Sequence, residues 1–236
     1  MAKARSRFGL TGNQLKLLAL ILMTLDHIGA YLLPQVLWLR IVGRLAMPIF
    51  AFMIAEGCRY TKSRVKYLAL LLVSALLYQI AAWFFMHSLE MCIMVTFFLS
   101  AVLIFILDMA QKKKSFWLWL LFSAGVIGVY WICQYLPGKV RGFSINYGFW
   151  GVMLPVLVYL GQKHWQNLIL CAIGLAILSY GSHYLQWYSL LSLPLLALYS
   201  GKRGSWKLKY FFYLYYPLHL GALYLIKQAL RYLDIL

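Results

Sequence analysis

Charged residues are scarce in this chain: they make up 11% of its 236 residues, and only five are carboxylates. An ordinary soluble domain is about one quarter charged, so a surface facing water throughout is excluded. Cysteine is nearly absent as well. Cys58, Cys92, Cys133 and Cys171 stand singly, with no paired spacing for zinc or a redox dithiol, which leaves apolar packing as their role. Serine–glycine linkers, low-complexity tracts and a clear internal repeat are missing too. The longest interruption, Pro137–Asn146, is too short for a domain, and one membrane domain over residues 1–236 is expected.

What fills the chain is hydrocarbon. With 64% hydrophobic residues, most of the surface must face lipid, and the sequence predicts an all-α polytopic bundle in the bilayer. A spanning helix needs about 17–25 mostly apolar residues. Nine segments qualify: Leu17–Leu33, Val36–Ile54, Tyr67–Met86, Met91–Met109, Phe116–Leu136, Tyr147–Gly161, Leu168–Tyr180, Tyr184–Tyr199 and Tyr210–Leu230. The sixth to eighth are short, so tilted, broken or re-entrant segments, and a count of eight to ten, are compatible with the pattern.

A net charge of +17 would point to nucleic acid in a soluble protein, but here the charges sit between spans. Lys3, Arg5, Arg7 and Lys16 precede the first; Arg59, Lys62, Arg64 and Lys66 follow the second; Lys112, Lys113 and Lys114 follow the fourth. Lys163 follows the sixth, and Lys202, Arg203, Lys207 and Lys209 follow the eighth. Sixteen of the 22 basic residues thus fall on one side, against Lys139, Arg141, Lys227 and Arg231 on the other. By the positive-inside rule the amino terminus is cytoplasmic and, with nine spans, the carboxyl terminus is external. That suits a bacterial cytoplasmic membrane and argues against a nucleic-acid partner. The first span is longer than a signal-peptide core and is interrupted by Asp26-His27, so an uncleaved helix is expected.

Those two residues are the chain's most informative feature. A charged side chain near the bilayer centre costs at least ~2.5–3.5 kcal/mol, so it normally faces a protein interior and serves a site. The first two spans form a hairpin about Pro34 and Gln35, and residues equally far from that turn lie at similar depth, which makes Asp26 and Arg44 level. Arg40 lies one turn from Arg44 on the same stripe. Pro48 offers no N–H to the Arg44 carbonyl and is expected to kink the second span there. His219, in Tyr215-Tyr216-Pro217-Leu218-His219, brings a second imidazole to mid-membrane depth. Each of these residues also has a structural reading: a buried ion pair, a packed histidine, a topology signal. Glu56 in particular can simply pair with Arg59 three residues on.

Five stretches resemble the TraX family in order along the chain: Leu25-Asp26-His27-Ile28-Gly29, Gly43-Arg44-Leu45-Ala46-Met47-Pro48 with the following Ile49-Phe50-Ala51-Phe52, Glu56-Gly57, Asn146-Tyr147-Gly148, and Tyr216-Pro217-Leu218-His219-Leu220. The founding member is associated with amino-terminal acetylation of conjugative pilin, and the family is distantly similar to transmembrane acyltransferases that draw acetyl-CoA from the cytoplasm. The resemblance implies acetyl transfer to a pilin or other exported peptide amino terminus, or to an envelope glycan hydroxyl, with acetyl-CoA as donor and no metal. Chemically, His27 is then the candidate general base, because imidazole with a pKa of about 6.5 suits neutral pH. Asp26 is expected to pair with Arg44, Arg44 or Arg40 to stabilise the oxyanion, and His219 to be an alternative base or an orienting donor. Arg40, Glu56, Tyr147, Lys62, Arg64, Arg203 and Lys209 are the residues expected to hold the donor, the basic ones through its phosphates. A proton-coupled transporter or flippase using Asp26, His27 and Arg44 as a relay is the competing reading, weakened by the lack of matching halves.

Overall fold

Backbone amides in hydrocarbon must be satisfied within the segment that carries them, so an apolar chain of this kind is forced into helices. The computed structural model describes residues 9–206 and 208–233, and of Phe85, Met86 and Lys209 the backbone alone. In order they form α1 (Gly12–Tyr31), α2 (Leu37–Gly43), α3 (Ala46–Tyr60), α4 (Arg64–Met86), α5 (Ile93–Lys113), α6 (Phe116–Lys139), α7 (Gly148–Leu160), α8 (His164–Tyr180), a 3-10 helix (Tyr184–Ser192), α9 (Leu193–Ala197) and α10 (Lys209–Tyr232). Two short strands, β1 (Glu90–Met91) and β2 (Ser144–Ile145), pair in parallel. Among the described residues, Leu37–Tyr60 taken across its break, Arg64–Phe84, Ile93–Lys113 and Phe116–Lys139 are long and apolar enough to cross a membrane. The chain is a helical membrane protein. Helices α1 and α10 have the length, at 20 and 24 residues, but carry more polar groups.

Three of the expected spans differ in form. The first helix starts earlier than Leu17, because Thr11 and Gln14 make a capping box that satisfies the free amides of its first turn. The second span is two helices, broken at Arg44 and Leu45, where Pro48 leaves the Arg44 carbonyl without its donor. The eighth, Tyr184–Tyr199, is corrected most: no α-helix runs through it, only the 3-10 helix and the five residues of α9. Gln186, Ser189 and Ser192 recur every third residue there, and all three are buried. A 3-10 helix, with about three residues per turn, holds such a set on one stripe. An α-helix would rotate each successive member by about 60° away.

The chain packs as two compact units, one from the residues up to Met53 with those from Leu175 on, the other Ile54–Gly174. In the first, α1 lies against α2 and α10, and α2 against the 3-10 helix. The α1–α2 contact is close because of two glycines. A methyl group on Gly43 would overlap the Asp26 side chain, and one on Gly29 would come within 2.8 Å of the Leu39 Cβ. Small residues at such seams let backbones approach. The start of α1 is tied to the segment that precedes α10: Leu10 N–H donates to the Leu198 carbonyl at 2.8 Å and Gly12 N–H to that of Lys202 at 2.8 Å. Asn13 adds its backbone N–H to the Arg203 carbonyl and its Nδ2 to that of Trp206, the latter at 2.7 Å.

In the second unit α5 is central, packed by α4, α6 and α7. Its Thr96 hydroxyl donates to the Asn146 carbonyl and its Ser100 hydroxyl to that of Val152, both at 2.7 Å, the kind of polar contact that joins helices in lipid. By contrast α6 presents Phe116, Trp117, Leu120, Ile127 and Trp131 on an exposed apolar surface suited to acyl chains.

Candidate active site

Asp26 on α1 stands between two arginines that α2 delivers one turn apart. Arg44 Nη2 reaches Asp26 Oδ1 and Oδ2 at 3.2 Å each, and Arg40 Nη1 reaches Oδ2 at 3.0 Å and also the Asp26 backbone carbonyl at 3.0 Å. The hairpin argument therefore holds geometrically for both arginines. Two positive charges meet one carboxylate, and among the described residues no other carboxylate lies within salt-bridge distance of either.

His27, the next residue, points instead to α10. Its Nδ1 lies 2.8 Å from Nε2 of His219, and the two ring centroids are 5.0 Å apart. The other nitrogen of His219, Nδ1, is 3.0 Å from the Tyr215 carbonyl. A carbonyl can only accept, so His219 carries its proton on Nδ1, and the neutral ring offers Nε2 as an acceptor. His27 then donates from Nδ1, and its Nε2 keeps a lone pair. Tyr215 is fixed in turn. Thr24 Oγ1 donates to the Leu20 carbonyl at 2.9 Å, so the Tyr215 hydroxyl, 2.8 Å away, donates to Thr24, while its ring stacks on His219 at 5.2 Å. Thr24, Tyr215, His219 and His27 form one oriented chain ending on the free nitrogen of His27.

A further polar group approaches from the 3-10 helix. Arg44 Nη1 donates to Gln186 Oε1 across a long 3.5 Å, while Arg44 Nε, Gln186 Nε2 and Ser189 Oγ are buried with no hydrogen-bond partner. Neither Gln186 nor Ser189 was suggested by the sequence, although their spacing of three within an apolar stretch was a visible signal. At the far end of α1, Lys16 lies over the Phe212 ring at 5.5 Å. Burial, with the neighbouring Arg203 guanidinium, lowers the Lys16 pKa to about 8.

Most of the remaining expected donor-binding residues have contacts or surroundings of their own. Glu56 is held by Arg59 Nη1 at 2.8 Å, and Arg59 Nη2 faces the carbonyls of Val158, Tyr159 and Gly161, which close the end of α7. Arg64, expected to be free for phosphate, pairs with Asp108, a residue the sequence reading passed over. Asp108 also takes Lys112 Nζ at 2.9 Å and the Tyr159 hydroxyl at 2.9 Å. Lys62 is exposed in the turn between α3 and α4, Arg203 is exposed before α10, and Tyr147 opens α7 at φ 62°. The Lys209 side chain lies outside the described residues, as do Lys3, Arg5, Arg7 and Lys207.

A family model described as TraX protein matches residues 11–227, which takes in every one of the clusters above. The chain belongs to the TraX family. It is 29% identical to a probable fimbrial assembly protein FimC of Dichelobacter nodosus, serogroup H1, over 92% of this chain and 96% of that protein. It is 28% identical to the uncharacterized protein RP591 of Rickettsia prowazekii over 66% of this chain, and the matched part spans 58% of that relative's length. No solved structure matches. The TraX match includes both halves of the histidine pair, His27 and His219, and all three members of the Asp26–Arg40–Arg44 cluster.

Proposed function

We propose that this TraX-family chain is an integral membrane acetyltransferase that moves an acetyl group from cytoplasmic acetyl-CoA to an exported acceptor. The observation that carries the proposal is the oriented hydrogen-bond chain from the Tyr215 carbonyl through His219 to His27, which leaves a lone pair on the residue next to Asp26, the carboxylate that two arginines share. A pilin amino terminus is the favoured acceptor, on the family and on the fimbrial-assembly name of a relative that matches nearly end to end. A glycan hydroxyl would undergo the same reaction.

His27 Nε2 takes the proton of the acceptor amine or hydroxyl as that group bonds to the thioester carbonyl carbon. His219 and the Tyr215 carbonyl hold the ring in the required tautomer and stabilise the charge that the ring gains. Asp26 keeps Arg40 and Arg44 in place, and their surplus positive charge faces the negative charge that develops on the carbonyl oxygen. As the carbon–sulfur bond breaks, the proton on His27 passes to the departing thiolate. Acetyl-CoA and acceptor thus become acetylated acceptor and CoA. Lys16 and Arg203 suit the phosphates of the donor, since both are cationic and no described carboxylate pairs with them.

This reading has a cytoplasmic amino terminus, and its nine-span count needs the 3-10 helix with α9 to complete the eighth crossing. Reporter fusions after Lys114 and Lys209 should read cytoplasmic, and fusions after Gly138 or at the carboxyl terminus external; a cytoplasmic carboxyl terminus would remove the nine-span count. The activity itself is tested with purified His27→Ala protein, which should bind acetyl-CoA and fail to transfer acetyl. Indifference of the wild-type protein to acetyl-CoA, with proton-coupled flux across vesicles, would instead support a transporter.

A further inference from the structure

The histidine relay accounts for one side of the reacting centre and leaves the polar stripe of the 3-10 helix without a task. Burying an amide or hydroxyl with no partner costs about 1–3 kcal/mol, so such groups call for an explanation. Gln186 is 3% exposed and Ser189 fully buried, yet Gln186 Nε2 and Ser189 Oγ have no partner, and neither does Arg44 Nε. Ser192, the third member, is engaged, donating to the Ser189 carbonyl at 2.7 Å.

Their geometry and charge say what they would hold. On a 3-10 helix residues three apart eclipse one another at about 2 Å rise per residue, which stacks Gln186 and Ser189 about 6 Å apart on one line. The line starts at Arg44, because Gln186 Oε1 accepts from Arg44 Nη1, which leaves Nε2 as the amide's unused donor. The free atoms are therefore an arginine N–H, an amide N–H and a hydroxyl, all able to donate. With Arg40 and Arg44 set against Asp26 alone, the surroundings carry one surplus positive charge. Three donors and one positive charge match an oxygen that is neutral at the start and negative in the transition state.

We infer that Gln186 and Ser189, together with Nε of Arg44, form a donor ladder that binds the carbonyl oxygen of the acyl donor and stabilises it as it becomes an oxyanion. This assignment rests on the acetyl-transfer reading and adds to it two residues of the 3-10 helix.

The test uses the full chain in lipid nanodiscs with two probes, acetyl-CoA and its ketone analogue in which a methylene replaces the sulfur, labelled with carbon-13 at the carbonyl. Wild-type protein should bind the analogue with its carbonyl infrared band at lower frequency than in solution. Gln186→Glu keeps a partner for Arg44 but removes the donor; it should lower kcat by ~10²–10³-fold with KM for acetyl-CoA nearly unchanged, and return the band toward its solution frequency. Ser189→Ala should act in the same direction, and Ser189→Thr, which keeps the hydroxyl, should lose less of the band shift and of turnover than Ser189→Ala. The serine variants keep the test decisive if the glutamine variant does not fold. A wild-type band and wild-type kcat in both Gln186→Glu and Ser189→Ala would overturn the ladder and leave acetyl transfer standing. A raised KM at unchanged kcat would likewise overturn it, by moving the contact away from the reacting carbonyl. Wild-type protein that neither binds the analogue nor transfers acetyl would overturn acetyl transfer itself, and the ladder with it.

Discussion

The two units each bury an ionic cluster, and the clusters are built to opposite ends. In the second unit each charged member of the cluster has a partner. Asp108 takes Arg64, Lys112 and the Tyr159 hydroxyl, and Arg59 divides itself between Glu56 and the last carbonyls of α7. In the first unit's cluster Asp26 is shared by two arginines, a histidine nitrogen is left with a free lone pair, and Arg44 Nε, Gln186 Nε2 and Ser189 Oγ are buried without a partner. A cluster that only holds helices together gains by satisfying every member, because an unpaired buried group is costly. Surplus donors and a surplus charge are the signature of a place where something else is bound.

The contrast can be broken most directly at His27. His27→Ala should cut acetyl transfer by ~10²–10⁴-fold at nearly unchanged acetyl-CoA affinity, measured by single-turnover transfer and by binding. Retained activity in that variant together with loss in His219→Ala would pass the base to His219. Next in size is the ion pair. Asp26→Asn leaves two buried arginines without their carboxylate and should cost ~3–5 kcal/mol, whereas Arg44→Gln leaves Asp26 paired with Arg40 and should cost less, with the double variant milder than the sum by ~0.5–3 kcal/mol in an unfolding cycle. Strictly additive costs would mean that the two do not interact.

Substitution in the satisfied cluster should behave differently in kind. Arg59→Met strips the end of α7 of its donor and should lower stability by about 1–3 kcal/mol, while turnover per folded molecule stays at the wild-type level. A loss of turnover at intact stability would place this arginine in the chemistry and erase the distinction between the clusters. The smallest effect concerns pH. Lys16, whose pKa is lowered to about 8, is charged below that value and neutral above it. If it meets a donor phosphate, acetyl-CoA affinity should weaken by about a few-fold between pH 7 and 9, and Lys16→Arg should bind equally well at both. An unchanged slope in Lys16→Arg would assign the titration elsewhere.

How much of this was legible beforehand depends on sequence separation. The Asp26–Arg44 pairing could be read because 18 residues and one turn at Pro34 leave a hairpin little choice of register. The break at Arg44 could be read from Pro48, since the missing N–H acts on its own chain four residues back. The Arg64–Asp108 pair could not be read for the converse reason: Asp108 lies 44 residues away on another helix, and nothing local announces it. The 3-10 helix was hidden by composition. Leu, Trp and Tyr surround Gln186 and Ser189, so an apolar count sees a span where the polar period of three describes a different helix. The contact of His27 with His219 needed both difficulties solved, as 192 residues separate them.

The tie between residues 10–13 and 198–206 sets a common zero for two rulers. His27 comes 14 residues after Asn13 and His219 comes 13 after Trp206, the residue that Asn13 grips. At about 1.5 Å per helical residue α1 carries His27 about 21 Å from Asn13, and α10 carries His219 about 15 Å from its first residue, Lys209. The accuracy of a 2.8 Å contact deep in the bundle is therefore a matter of counting. One residue added to either arm would advance its imidazole by about 1.5 Å and swing it through about 100°, parting the pair with every side chain still in place. Chain length between the knot and each histidine in this sense sets the contact as much as the histidines themselves do.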